Sequence, residues 1–198
     1  MLKNNYCELN LPENPLKSDF VLPEFLTFDD KNRYIPIDVS WIEANTKQMF
    51  EDCGLQIGGI IIFKKPHGGI SPIHTDILKV DNNWIVWNCA INYNISSSNS
   101  KMLWFKSSAK QLISNISDQP DHYVLSGIHY GTFGNKDIYS KEFEIIEKHQ
   151  ITKPSLVRTH IPHTVINNDN HDRICLSIRF SENPSYEQVY KLMSKYIN

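Results

Sequence analysis

The segments KPSLVRTHIPHTVIN (residues 153–167) and RICLSIRF (residues 173–180), joined by a polar turn, contain the strongest fold signal in the chain. Apolar and polar residues alternate in both segments, and a period of two is typical of β-strands. One face of the second segment carries Arg173, Ser177 and Arg179, whereas its other face is uniformly apolar. A strand with arginines on one side and large apolar groups on the other predicts one wall of a polar cavity.

The first segment predicts one continuous strand over residues 156–165. With a period of two, His163 falls on its more apolar face, and His160 falls on the opposite face beside Arg158 and Pro162. We therefore expect His163 to point into the protein interior.

The composition favours one compact domain spanning residues 1–198, because 40% of the 198 residues are hydrophobic. A formal net charge of −2 gives no electrostatic case for nucleic acid or an anionic membrane. The Lys64-Lys65 pair is interpreted as a solvated strand end. Residues 1–10 lack the apolar run of a signal peptide and no segment reaches membrane-spanning length, so we expect a cytoplasmic protein. The cysteines lack paired spacing and are expected to be small buried thiols: Cys7, Cys53, Cys89 and Cys175.

The order of predicted elements favours a mainly β fold. Proline-rich residues 1–38 predict an extended arm, and residues 107–150 predict an insertion or lid. Helices are expected after the capping-box pattern Ser40-Trp41-Ile42-Glu43, ending at Gly54, and after Asn183-Pro184. Strands are expected at Gln56–Lys64, Trp84–Ile95, Met102–Phe105, within Tyr123–Gly134 and at Phe143–Ile146, with a helix candidate at Ser107–Ile116. About eight short strands flanked by two helices indicate a closed or double-sheet β architecture.

The candidate chemistry rests on His74 and Asp76. Residues two apart on a strand project to the same side, so this imidazole and carboxylate can bind one metal ion. A histidine from a distant strand would complete a set of two nitrogens and one oxygen with three positions left open, which suits ferrous iron. By itself His-x-Asp is a weak motif, and a surface His-Asp pair at a strand end is the simpler explanation. The inward His163, followed after ten residues by Arg173, favours the metal site.

These residues together resemble the iron(II)- and 2-oxoglutarate-dependent dioxygenases. Their pattern is His-x-Asp, a distal histidine, and then a basic residue about ten positions later that binds the far carboxylate of 2-oxoglutarate. The resemblance covers about residues 57–180 and is similar to bacterial and phage members and to the aspartyl/asparaginyl hydroxylase-like branch. It implies a double-stranded β-helix, or jelly roll, with flanking helices. It also implies that His74, Asp76 and His163 are the iron ligands and Arg173 the 2-oxoglutarate anchor.

Two further residues are candidates for co-substrate binding. The family often has serine two positions after the basic residue, where this chain has Cys175; Ser177 lies one step further on the same face. Asn88 and Asn92 lie on the polar face of a predicted strand. Either can bond 2-oxoglutarate or substrate, and either can equally satisfy buried backbone groups.

The implied activity is hydroxylation of a small molecule, an amino acid or a protein residue, with Fe(II), 2-oxoglutarate and O2 as cofactors and co-substrates and ascorbate as an accessory reductant. Succinate and CO2 would be released. His160 is an alternative third ligand. Arg179 resembles the second arginine of alkylation-repair demethylases, or it forms a strand-end salt bridge. A cupin-like metal enzyme that does not use 2-oxoglutarate, and a non-catalytic β-sandwich binding module, are the other classes that fit the sequence.

Overall fold

The structure is a computed structural model that describes residues 4–23, 33–80, 83–96, 99–107, 128–132 and 143–197. Most of its strands lie where apolar and polar residues alternate in the sequence. The two α-helices within these ranges are α1 (Ala44–Asp52) and α2 (Tyr186–Leu192), with 3₁₀ turns at Val39–Trp41 and Ser194–Tyr196. The twelve strands in the same ranges are β1 (Tyr6–Glu8), β2 (Arg33–Ile37), β3 (Ile57–Lys65), β4 (His74–Val80), β5 (Asn83–Val86), β6 (Cys89–Asn94), β7 (Lys101–Ser107), β8 (Ile128–Thr132), β9 (Phe143–Gln150), β10 (Ser155–Arg158), β11 (His163–Ile166) and β12 (Arg173–Phe180). The predicted mainly β class is confirmed.

The strands form two antiparallel sheets. The first sheet has the order β1-β10-β6-β12-β3-β2, and the second has the order β5-β4-β11-β7-β9, with β8 also paired to β4. Four of the pairs are nested in the sequence: β7 with β9, β6 with β10, β4 with β11, and β3 with β12. The chain is thus one long hairpin whose successive strand pairs alternate between the two sheets.

The first sheet is covered on both faces, which explains the sequence of β12. Ile178 and Leu176 join the main hydrophobic cluster under the helices, together with Phe50 of α1 and Tyr186 of α2. The other face of the strand looks toward the second sheet and carries the polar residues. A smaller cluster fills part of the space between the sheets, with Ala90 and Val157 from the first sheet against Met102 and Trp104 from the second.

Two predicted strands are each broken where the chain crosses from one sheet to the other. The predicted strand 156–165 is interrupted at residues 159–162, so that β10 lies in the first sheet and β11 in the second. The predicted strand Trp84–Ile95 is likewise divided between β5 and β6. The two crossings bind each other, because Thr159 donates its amide to the Asn88 carbonyl (3.1 Å) and its hydroxyl to the Trp87 carbonyl (2.9 Å). The prediction of continuous strands was therefore wrong at both places.

The helix ends differ in detail from the predictions. The expected capping box at Ser40-Glu43 is absent, since Glu43 caps α1 without a side-chain hydrogen bond and Ser40 lies in a 3₁₀ turn capped by Asp38. The predicted stop at Gly54 is confirmed by its positive φ of 73°. A capping box does occur at α2, where Ser185 and Gln188 bond each other's backbone amides.

The predicted arm and insertion both contribute strands to the sheets. β1 and β2, from residues 1–38, pair with β10 and β3 and so occupy the two edges of the first sheet. β8 and β9 come from the region 107–150 and pair with β4 and β7. The helix candidate Ser107–Ile116 lies outside the described residues, apart from Ser107 at the end of β7. In the part of the chain that is described, no helix has the length and apolar character needed to cross a membrane.

Candidate metal centre

His74, Asp76 and His163 meet between the two sheets. His74 and Asp76 lie on the same side of β4, and His163 of β11 is the cross-strand partner of His74. The Nε2 atoms of His74 and His163 lie 3.5 and 3.6 Å from Asp76 Oδ1. One potential ligand atom from each residue lies within 4.8 Å of the others. The sequence prediction that these three side chains share one place is consistent with this geometry.

The hydrogen bonds of the two imidazoles determine which ring nitrogens face the centre. His74 Nδ1 lies 2.7 Å from the Pro72 carbonyl and His163 Nδ1 lies 2.9 Å from the Ile161 carbonyl. A carbonyl only accepts, so each Nδ1 carries the proton and each Nε2 presents a lone pair. Burial lowers the pKa of both histidines, that of His163 to about 4, which keeps both rings neutral at pH 7. Metal-binding histidines commonly have this arrangement.

Asp76 is held as a carboxylate with its two oxygens in different environments. Arg179 Nη2 donates to Oδ2, and both side chains are buried. Oδ1 faces the two imidazoles and has no hydrogen-bond partner within the described ranges. Burial raises the pKa of Asp76, but the Arg179 guanidinium together with His163 and His74 outweighs burial, and the net pKa lies below its usual value. Three lone-pair donors therefore converge on one point, which is unfavourable unless a cation is shared between them.

The backbone of Asp76 is also held by hydrogen bonds on both sides. Asp76 donates its amide to the Thr159 carbonyl (3.0 Å) and accepts from the Trp87 amide (2.8 Å). Thr159 also accepts from Arg179 Nη1 at 3.2 Å. The two sheet crossings thus lie beside the candidate metal ligand Asp76, and Arg179, whose role the sequence left open, is a partner of that residue.

A cavity of about 60 Å³ adjoins the three side chains and lies between the sheets. The predicted polar face of β12 lines it through Arg173, Cys175, Ser177 and Arg179. About 10–15 Å³ admits one water molecule, so this cavity accommodates a small polar ligand. Arg173 Nε and Ser177 Oγ are buried and, as far as the structure describes the chain, make no hydrogen bond. The co-substrate candidates Arg173 and Ser177 thus share a cavity with the candidate metal ligands.

Two candidates from the sequence, Asn88 and His160, do not line the cavity. Asn88 is not among the residues that line the cavity; it donates from Nδ2 to the Asn183 carbonyl (2.8 Å) and from its amide to Asn183 Oδ1 (2.9 Å). Its neighbour Asn92 lines the cavity instead, with Oδ1 buried and without a partner among the described residues. His160, the alternative ligand, lies away from the cluster with its Nδ1 2.8 Å from the Asn88 carbonyl.

Sequence reasoning missed several residues of the cavity wall, among them Lys64, Lys65 and Tyr34. Lys64 and Lys65 were expected at a solvated strand end, but both are buried, 2% and 3% exposed, and this interpretation was wrong. Lys65 lines the cavity beside Arg173, its cross-strand partner. Tyr34 reaches the cavity from β2, within the predicted arm. Only the register between strands distant in the sequence could have revealed these positions.

The donor set indicates which metal fits. Two imidazoles and one carboxylate, with open positions, form the set that non-haem Fe(II) enzymes use. A closed structural zinc site would need a fourth ligand, usually cysteine. Cys175 lines the cavity without joining the cluster, and burial raises the pKa of its thiol, so it remains protonated. The residues present therefore fit a redox-active ferrous ion with exchangeable positions.

Comparison with known proteins adds no family assignment. No protein-family model matches the chain, and no curated protein matches its sequence. Function must therefore be argued from the site itself.

Proposed function

We propose that this protein is an Fe(II)- and 2-oxoglutarate-dependent oxygenase that hydroxylates a small molecule, an amino acid or a protein residue. The overall reaction consumes substrate C–H, 2-oxoglutarate and O2 and gives substrate C–OH, succinate and CO2. The observation that carries the proposal is the convergence of His74 Nε2, His163 Nε2 and the unpartnered Asp76 Oδ1 at the end of a cavity that also contains Arg173.

The chain topology supports the same proposal. Nested strand pairs that alternate between two antiparallel sheets are what a hairpin wound into a jelly roll, or double-stranded β-helix, produces. In this arrangement β4 and β11 bring the histidines and Asp76 together from one sheet, and β12 brings Arg173 and Arg179 from the other. Fold likeness alone does not assign a reaction, so the proposal rests on the site.

Each residue of the site has a distinct task in the proposed reaction. His74, Asp76 and His163 would hold the iron on one face, and bound iron supplies the dioxygen chemistry that side chains cannot perform. Arg179 occupies Asp76 Oδ2, so that Asp76 offers a single oxygen and leaves the remaining positions open. The Arg173 guanidinium suits a carboxylate because it can donate two parallel charge-assisted hydrogen bonds. The enclosing sheets exclude bulk water from the reacting groups.

The test is anaerobic addition of 2-oxoglutarate to protein loaded with Fe(II), followed by exposure to air and measurement of succinate. We expect 2-oxoglutarate to change the visible spectrum of the iron-loaded protein, and succinate to form in the presence of a suitable substrate from a panel of amino acids, small metabolites and peptides. A cupin-like enzyme that does not use 2-oxoglutarate would bind iron without this spectral response.

Matched histidine variants provide the control. His163→Ala should abolish the spectral response and succinate formation, whereas His171→Ala, at a half-exposed side chain outside the cavity, should leave both unchanged. Arg173→Ala should raise the 2-oxoglutarate concentration required while iron still binds. Wild-type protein that retains iron but neither binds 2-oxoglutarate nor produces succinate would overturn the proposed function.

A further inference from the structure

Arg179 places a buried positive charge beside the candidate metal ligand Asp76. Its Nη2 atom donates to Asp76 Oδ2, and the two side chains are each 5% exposed. The other carboxylate oxygen, Oδ1, lies 3.5 Å from His74 Nε2 and 3.6 Å from His163 Nε2. An ion bound by these three atoms is therefore separated from the guanidinium by a single carboxylate group.

A second contact keeps this charge in place. Arg179 Nη1 donates to the Thr159 hydroxyl at 3.2 Å, and that hydroxyl donates to the Trp87 carbonyl at 2.9 Å. The Thr159 carbonyl also accepts from the Asp76 amide at 3.0 Å. The guanidinium is thus held both by the candidate ligand and by the residue that holds the backbone of that ligand. Turning it away from Asp76 would break both contacts.

The charges around the centre disfavour a highly charged ion. A histidine binds a metal as a neutral ring, so Asp76 supplies the one negative charge among the three candidate ligands. Arg179 cancels that charge, and Arg173 adds a further positive charge to the wall of the same cavity. Asp76 is the only carboxylate among the cavity-lining residues that the structure describes. The protein therefore compensates the charge of a bound cation less than an unpaired carboxylate would.

This charge balance bears directly on the oxidation of a bound ion from +2 to +3. Removing one electron adds one unit of positive charge, which the nearby guanidinium repels. At an effective dielectric constant of about 20, two unit charges less than about 12 Å apart interact strongly enough to change an equilibrium at least about tenfold. Solvent screens this interaction weakly, because Asp76 and Arg179 are both buried. The charge of Arg179 therefore opposes the loss of an electron by the ion.

We propose that Arg179 sets the redox preference of the centre, and that its buried charge keeps bound iron in the ferrous state from which the proposed reaction begins. The step concerned is the one-electron couple in which iron(III) and an electron give iron(II). In air, the electron that iron(II) loses passes to dioxygen. The inference rests on the metal site of the proposed function and does not depend on the use of 2-oxoglutarate.

Potentiometric titration of the iron-loaded protein without 2-oxoglutarate tests the proposal, with mediator dyes and the electron paramagnetic resonance signal of iron(III) as the readout. At a fixed applied potential, Arg179→Met should raise the ratio of iron(III) to iron(II) at least about tenfold, which corresponds to a potential lower by about 59 mV or more. Arg179→Lys retains the charge, so its ratio should stay closer to that of the wild type than to that of Arg179→Met.

The double variant Arg158→Met with Glu187→Gln is the matched control. It removes another arginine–carboxylate pair, in which Arg158 Nη2 lies 2.8 Å from Glu187 Oε1, and it leaves the net charge unchanged. Neither residue lines the cavity, so the ratio of iron(III) to iron(II) should remain that of the wild type. If Arg179→Met does not fold, Arg179→Gln replaces it, because glutamine keeps a neutral hydrogen-bond donor, and the same direction of shift is expected.

Two results would overturn the proposal. One is a ratio in the neutral Arg179 variant that equals that of the wild type or shifts toward iron(II). The other is an equal shift in Arg179→Lys and Arg179→Met, because the effect would then depend on the shape of the side chain and not on its charge.

The outcomes also separate this inference from the proposed function. A ratio that depends on Arg179 in a protein that never forms succinate would support the redox role and overturn the oxygenase. Succinate formation by a protein whose ratio is unchanged in Arg179→Met would support the oxygenase and overturn the redox role. Failure of the wild type to bind iron would overturn both.

Discussion

Removing the charge of Asp76 alone, or of Arg179 alone, should strongly destabilise the metal-free protein. Removing both charges together should cost much less per substitution. Each side chain is only 5% exposed, and each is the other's charged partner. Loss of one member of such a pair leaves a buried charge without compensation, which costs about 3–5 kcal/mol. Asp76→Asn and Arg179→Met should each have this effect. The double variant leaves neither charge, so its loss should fall short of the sum by about 3 kcal/mol or more.

The assay is urea unfolding at pH 7 in EDTA, because a bound cation would replace the missing charge of Arg179. In a parallel thermal unfolding experiment, a coupling of about 3 kcal/mol would correspond to roughly 6–12 °C in Tm for a domain of this size. The pair Arg158–Glu187 is the matched control, since Glu187 is 43% exposed and the coupling should be at most about 1 kcal/mol. Additivity of the Asp76 and Arg179 effects within about 0.5 kcal/mol would refute the buried pair.

The remaining predictions concern titration and the two asparagines. The pKa of His163 falls from 6.5 to about 4 on folding, so the unfolded chain takes up the proton first as the pH falls. The metal-free protein should therefore lose up to about 3 kcal/mol of unfolding free energy between pH 6.5 and pH 4. Urea unfolding of His163→Leu should show a shallower pH dependence, and equal slopes would contradict the lowered pKa of His163. Lys65 loses its proton near pH 7 in the folded state and near pH 10.5 in the unfolded state. The unfolding free energy of the wild type should therefore rise by about 1–2 kcal/mol relative to that of Lys65→Met between pH 7 and about pH 8.5. A constant difference in unfolding free energy would contradict the lowered pKa of Lys65. Asn88→Ala should lower the unfolding free energy by about 1 kcal/mol and leave the 2-oxoglutarate affinity in calorimetry unchanged. Asn92→Ala, at a residue that lines the cavity, should change that affinity. The reverse pattern would indicate Asn88 as the ligand-binding residue.

The parts of the fold that the sequence predicts well are those set by local periodicity. His74 and Asp76 share a side of β4 because they are two residues apart, and the polar face of β12 follows from the same rule. His163 faces the cavity within β11 for this reason too, although the strand is shorter than expected. His163 lines the cavity and His160 does not, as alternation predicted, although the strand on which that prediction rested is broken at residues 159–162.

The parts that the sequence did not predict depend on contacts between distant segments. The strand breaks arise where Thr159 binds Trp87 and Asn88, residues 72 and 71 positions earlier, and no local pattern marks this pairing. The position of Lys65 opposite Arg173 is likewise a matter of register between β3 and β12. A lysine pair at the end of a strand reads locally as a solvated end, and only the partner strand shows that Lys65 lies against a cavity.

The ion pair of Asp76 and Arg179 joins the two sheets, because Asp76 belongs to β4 and Arg179 to β12. The orientation of a candidate metal ligand is therefore tied to the separation of the sheets, which the interior contacts of Val157 with Met102 and Trp104 help to maintain. Packing in the core thus sets the position of Asp76 relative to the two histidines. Evolution or design that repacks the interior would alter the proposed metal centre without changing any residue that touches it.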